Sequence, residues 1–154
     1  MKKPSLYLSG AISGLNWEES TIWRNYVAEA LPEFDCFSPL RGKSYLKKIQ
    51  KIEGAPGHLG GLSSVLSTKE GIMTRDTYDC YTCDGTFVNL LDAKRVSIGT
   101  VMEIAWMWEQ RKPIILVMEP EGNLHDHPMI RAATPYVVDT LDAGIEIARI
   151  IFLP

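Results

Sequence analysis

Alternating strand-like and helix-like segments predict a single α/β domain, with a five-stranded parallel sheet sandwiched by helices. Short apolar runs at residues 6–8, 86–91 and 114–118 have the length and turn-residue bounds of buried strands. Between them, apolar residues recur at spacings of three and four, as on the inner face of a helix. A chain of 154 residues, 45% hydrophobic and 23% charged, fits one domain with a full core, residues 1–154.

The first strand, Leu6-Tyr7-Leu8, runs into Ser9-Gly10-Ala11-Ile12-Ser13-Gly14, a glycine loop whose free amides suit an anion at a helix entrance. Ile22, Trp23, Tyr26, Val27, Ala30 and Leu31 predict a helix over about 17–31, which Pro32 closes. Asp35-Cys36-Phe37 is a second short strand. Residues 41–71 lack either period: Lys43, Lys47, Lys48 and Lys51 give way to Gly54, Pro56, Gly57, Gly60, Gly61 and a serine-rich run. Such a stretch inside a compact domain reads as a flexible insertion, either a functional flap or a disordered one. A short helix within 43–52 is open. The lysines read as a solvated face, with a second reading in which they draw a phosphate toward the flap. A helix over about 74–81, the turn Asp84-Gly85, the strand 86–91 and a helix over about 100–110 follow. The strand 114–118, a polar loop over 119–128, the strand Tyr136-Val137-Val138 and a helix over 141–151 complete the chain. With right-handed crossovers this is a flavodoxin/Rossmann-like arrangement.

A net charge of −3 excludes a groove built on bulk positive charge, so no nucleic-acid polymer is expected as partner. No apolar run approaches the roughly 20 residues of a membrane helix, so no membrane is expected either. Cys36, Cys80 and Cys83 cannot all pair with one another and read as reduced, in a cytoplasmic protein. Cys80-Tyr81-Thr82-Cys83 has the spacing of a redox pair or half a zinc site, but it falls at the close of a helix. A second zinc pair is missing unless His125 and His127 join it. Neither a metal nor an organic cofactor is expected.

In parallel sheets ligands bind beyond the carboxyl ends of the strands. The loops 9–14, 91–100 and 119–128 meet there. In Ser97-Ile98-Gly99-Thr100-Val101-Met102-Glu103, the spacing sets a carboxylate in the first turn of a helix, whose dipole and free amides favour the ionised form. Such a group suits nucleophilic attack on an electron-poor carbon. The bland alternative is a capping box between Thr100 and Glu103. Asp76, Asp79, Asp84 and Asp92 are further carboxylates, each of which singly reads as a turn or cap residue. Asp84 precedes the buried strand, whereas Asp92 follows it, nearer the ligand edge. Two carboxylates with separated pKa values are what glycosidic-bond chemistry requires.

Tyr7-Leu8-Ser9-Gly10, Cys83-Asp84-Gly85 and Ser97-Ile98-Gly99-Thr100-x-x-Glu103 resemble the nucleoside 2-deoxyribosyltransferase superfamily. The likeness covers about residues 5–40 and 72–152 and leaves 41–71 unmatched. That superfamily contains transferases that move 2-deoxyribose between bases and hydrolases that cleave deoxynucleoside 5′-monophosphates. The resemblance implies that Glu103 is the nucleophile at C1′, that Tyr7 positions it, and that Asp84 protonates the departing base. It further implies substrate contacts from Ser9, Gly10, Ala11, Ile12, Ser97, Gly99, His127 and Met129. His127-Pro128-Met129-Ile130 resembles a segment lent by a neighbouring subunit, implying a homodimer or larger with shared sites; the transferases have Asn where His127 stands. Ser97 stands where transferases carry an aspartate and hydrolases a serine near the 5′-phosphate. A hydroxyl accepts a phosphate that a carboxylate would repel, so Ser97 favours a nucleotide. Trp17, beside the glycine loop, is a candidate to stack on a base. The implied activity is cleavage of the N-glycosidic bond of a small nucleoside or nucleotide with transfer to another base. Hydrolysis of monophosphates and a non-catalytic nucleotide-binding module are the alternatives.

Overall fold

The computed structural model describes residues 1–154. Strand β1 (Ser5–Gly10) sends successive side chains to opposite faces of the sheet. Leu6 and Leu8 enter one core, and Tyr7 enters the other. Helix α1 (Trp17–Ala30) begins at Asn16, whose side chain accepts the Glu19 N–H while the Glu19 carboxylate accepts the Asn16 N–H. Strand β2 (Asp35–Phe37), helix α2 (Ser63–Leu66), helix α3 (Lys69–Thr82), strand β3 (Gly85–Asn89) and helix α4 (Ile98–Glu109) follow. Strand β4 (Ile114–Val117), helix α5 (Pro128–Ala133), strand β5 (Tyr136–Val138) and helix α6 (Leu141–Phe152) complete the chain.

All pairings are parallel, in the order β2-β1-β3-β4-β5, so the expected five-stranded parallel sheet is present. Val27 of α1 and Ile145 and Ala148 of α6 cover Leu6, Leu8, Phe87, Ile115 and Val117. On the other face, Cys80, Ile104, Met107 and Ile130 cover Tyr7, Val88, Ile114 and Leu116. Truncating a core side chain such as Leu8 or Ile115 to Ala costs about 2–5 kcal/mol. Strand order reverses between β1 and β3, and their carboxyl ends open the crevice in which such sheets bind ligands. No helix is long and apolar enough to cross a membrane.

Two boundaries differ from expectation for local reasons. Helix α3 starts at Lys69 rather than near 74, because Thr68 Oγ1 accepts the Gly71 N–H at 3.0 Å and caps it. Helix α5 arises at the end of a stretch expected as loop: His127 accepts the Met129 N–H and Pro128 occupies the first turn.

Residues 41–71, expected as a flexible insertion, are tied into the domain. Leu40, Leu46 and Ile52 form a small third core, against which Ile12 and Trp17 pack. The Gly14 N–H donates to Ile52 O at 2.6 Å, and the Ile52 N–H donates to Leu15 O at 2.7 Å. Arg41 grips Asp79 of α3 with two bonds of 2.6 and 2.8 Å, and Arg75 donates to the carbonyls of Arg41 and Pro39. Trp17 is spent on this packing beneath Lys47 and does not line the main cavity, contrary to the stacking role expected for it.

Candidate active site

Tyr7 and Ser9 share one face of β1 because side chains alternate, and α4 lies across that face. Glu103, on the second turn of α4, accepts from Tyr7 Oη at 2.6 Å through Oε2 and from Ser9 Oγ at 2.7 Å through Oε1. It is only 6% exposed, yet it lines a cavity of about 520 Å³. This corrects the expectation of a first-turn carboxylate held by the helix terminus. The α4 cap is Ser97, whose Oγ accepts the Thr100 N–H, and Glu103 takes no part in it. Ser9, expected on substrate, instead grips the carboxylate.

Burial pushes the Glu103 carboxyl up to about 7, and the negative charge of Asp76 adds to the rise. The Tyr7 and Ser9 hydroxyls and the charge of Arg24 pull the other way. Tyr7, pushed well up by burial and then by Glu103, stays a proton donor. Arg24 is buried and donates to the carbonyls of Leu8, Gly10 and Ser20. Its guanidinium thereby braces the end of β1 behind the carboxylate. A Cβ at Gly10 would stand 2.7 Å from Asn89 O, so only glycine lets β1 and β3 approach there.

The cavity runs between the loop 10–13, the segment 95–100 and the small core of residues 40–52. Gly10, Ala11, Ile12, Ser97 and Gly99 all line it, together with Glu103. Asp76 enters from α3, and its Oδ1 is buried with no hydrogen-bond partner. Burial raises the Asp76 carboxyl to about 6, against the opposing charge of Lys43. The sequence held a signal for this second carboxylate. Asp76, Asp79, Cys80 and Cys83 recur at spacings of three and four, so they share the inner face of α3.

Asp84 is not near Glu103. It precedes β3 at the amino edge of the sheet, where Oδ2 accepts from Ser5 N at 2.7 Å and Ser5 Oγ at 2.9 Å. In a parallel sheet that edge lies a strand length, roughly 15 Å, from the carboxyl ends that form the crevice. Its place contradicts the role of proton donor. Asp92 faces a separate cavity of about 640 Å³ on the α1 side. His127 and Met129 are exposed on α5 and do not line the cavity within one chain.

No protein-family model and no curated protein matches the chain. Among solved structures it is similar to the molybdenum cofactor binding protein of the phototrophic bacterium Rippkaea orientalis: TM-score 0.61, 15% identity, 98% of each chain covered. It is also similar to the CMP N-glycosidase of Clostridium botulinum: TM-score 0.56, 14% identity, 96% of this chain and 98% of that one covered. The chain has their fold. A shared fold leaves function to be decided by the site.

A residue that sequence reasoning placed in the polar loop and weighed only as a zinc partner shapes that site. His125 is buried, and its Nε2 accepts the Ser97 N–H at 2.8 Å while Nδ1 faces Asn123 Oδ1 at 3.1 Å. Accepting a backbone N–H requires a bare Nε2, so the ring is neutral, and burial pushes its pKa down. His125 therefore fixes the turn that carries Ser97 to the cavity. Cys80 and Cys83 lie in the core, where burial raises both thiols and suppresses the thiolate a redox pair needs. Chemically, the cavity offers two carboxyls raised toward neutrality, Glu103 to about 7 and Asp76 to about 6, and loop amides with hydroxyls for an anion.

Proposed function

We propose that this chain is an enzyme that cleaves the N-glycosidic bond of 2′-deoxyribonucleoside 5′-monophosphates through a covalent ester between Glu103 and C1′ of the sugar. The observation that carries this reading is the Glu103 carboxylate, gripped by the Tyr7 and Ser9 hydroxyls at the wall of a cavity sized for a nucleotide. As the C–N bond lengthens, its electron pair passes to the base and positive charge builds on the sugar. The buried carboxylate stabilises that charge and then bonds to C1′. Asp76 gives its proton to the departing base. A second base or a water molecule then attacks C1′, frees Glu103 and returns a proton to Asp76. The first nucleophile makes the enzyme a transferase, the second a hydrolase.

The monophosphate is favoured by Ser97, by the amides of the glycine loop and by Arg95, which lines the cavity while bonded to Ser13 and Glu53. The glycosidase among the structural neighbours supports the bond type. The exposed apolar side chains of Val96, Ile98, Leu124 and Met129 support a second copy closing the mouth and lending His127. A non-catalytic binding module is the second reading, favoured by the cofactor-binding neighbour. Against it stands the cost of burying a carboxylate on two hydroxyls that a binder does not need.

Incubation with deoxynucleosides and their 5′-monophosphates, with and without a free acceptor base, followed by chromatography, decides. New nucleoside or nucleotide only with acceptor identifies a transferase, and free base without acceptor a hydrolase. No turnover of any substrate overturns the reading.

A further inference from the structure

We propose that Lys43 selects the leaving base, by donating a hydrogen bond from its ammonium group to a ring carbonyl. This rests on the glycosidase reading above and names the class of base it takes. Lys43 belongs to the segment 41–71 and was expected on a solvated face. It is instead 6% exposed and lines the same cavity as Asp76 and Glu103. Its ammonium makes neither a hydrogen bond nor an ion pair, although a buried cation without a partner is costly. The Lys43 Nζ keeps access to the cavity, whereas Asp76 Oδ1, on the same cavity, is buried and unpartnered. Two unsatisfied polar groups facing one cavity are groups that a ligand satisfies.

The backbone that carries Lys43 is held firmly. Its N–H donates to Leu40 O at 3.0 Å, its carbonyl accepts from Leu46 N at 2.9 Å, and Leu40 and Leu46 are core residues of the segment. Of the other two nearby cations, Arg41 is clamped on Asp79, and Arg75 spends both terminal nitrogens on the carbonyls of Arg41 and Pro39, leaving only its Nε without a partner. Lys43 and Asp76 line the same cavity, and Lys43 is the charge that most opposes the rise of the Asp76 carboxyl, so the two are neighbours there. The amides, Ser97 and Arg95 suited to a phosphate belong to the glycine-loop side. Next to the carboxyl that protonates the base, a cation finds its natural acceptor in an oxygen of that base. Bond cleavage pushes electron density onto such an oxygen, so the bond strengthens as the base departs.

The test compares wild type, Lys43→Met, Lys43→Gln and Lys43→Arg on dUMP and dIMP, which carry ring carbonyls, and on dAMP, which carries none. Turnover is read by chromatography, and binding by calorimetry in the Glu103→Gln background. We expect wild type to favour at least one oxo nucleotide over dAMP by roughly ten- to a hundred-fold. Met and Gln should abolish that preference with dAMP little changed, and Arg should retain part of it. Equal losses on all three nucleotides, or a loss seen with dUMP and not with deoxyuridine, would overturn the proposal. Turnover with a preference that Lys43 does not move sinks this proposal alone. Lys43-dependent binding without turnover sinks the glycosidase reading alone, and absence of all binding sinks both. Thermal midpoints of the variants separate misfolding from lost recognition.

Discussion

Tyr7 donates its phenolic proton to Glu103 at 2.6 Å across 96 positions of the chain. A carboxylate this buried would be neutral without such donors, so the hydroxyl keeps a useful fraction ionised near neutral pH. Tyr7→Phe, and separately Ser9→Ala, should raise the Glu103 pKa further. The kcat at pH 6.5 should then fall about ten-fold, one pKa unit being one decade of ionised fraction. The alkaline limb should move to higher pH, while the acid limb, set by Asp76, stays near 6. A profile that keeps its position after loss of either hydroxyl would remove that hydroxyl from its role.

The wild-type profile itself should be bell-shaped. Glu103, at about 7, must be ionised to attack while Asp76, at about 6, must be protonated, so the active pair is a minor form that peaks between the two values. It is lost below about 6 as Glu103 alone goes on gaining protons, and above about 7 as Asp76 alone goes on losing them. The two carboxyls feel one another, and the limbs belong to the pair rather than to either residue. A rate independent of pH between 5 and 8.5 would contradict the pairing.

Glu103→Gln should lower turnover at least about a thousand-fold, because the ester cannot form. Its stability should depend on pH in the following sense. A carboxyl raised in the folded state ionises more readily when unfolded, so it weakens folding progressively as pH rises from about 4.5 to 7. Glutamine lacks that term. The thermal midpoint of the variant relative to wild type should therefore climb between pH 5 and pH 8, and a constant offset would count against the buried charge.

Asp76→Asn should impair release of ordinary bases by about a hundred-fold and spare substrates whose leaving group needs no proton, such as a nitrophenyl deoxyriboside phosphate. Asp84→Ala should do the reverse. It loses bonds to Ser5 and destabilises the domain by about 1–3 kcal/mol, with kcat unchanged. Rate effects exchanged between the two positions would restore Asp84 as the acid.

His127→Ala, inactive or weak alone, should regain turnover when mixed with inactive Glu103→Gln. Mixed oligomers then contain one intact site built from two chains. Confirmed mixed oligomers without rescue would show that His127 serves no neighbouring site.

The strand positions 6–8, 86–91 and 114–118 were legible in sequence because a buried strand must be apolar, and the sheet followed from their alternation with helices. Glu103 and Tyr7 were legible through motif likeness, and strand alternation then explains why Ser9 joins Tyr7. The small core of Leu40, Leu46 and Ile52 was not, because its apolar residues follow no regular period among glycines and serines. His125 was hidden for a similar reason: its partner, the Ser97 N–H, lies 28 residues away in a loop.

What the sequence by itself determined is the order of elements and the presence of a glutamate after a glycine turn, since both depend on neighbours along the chain. Tertiary structure alone decided that this glutamate is buried on Tyr7 and Ser9, that Asp76 rather than Asp84 shares its cavity, and that Lys43 points inward. Strand direction sends two aspartates to opposite ends of the sheet, and only the packing of distant faces sets how much water each charge keeps.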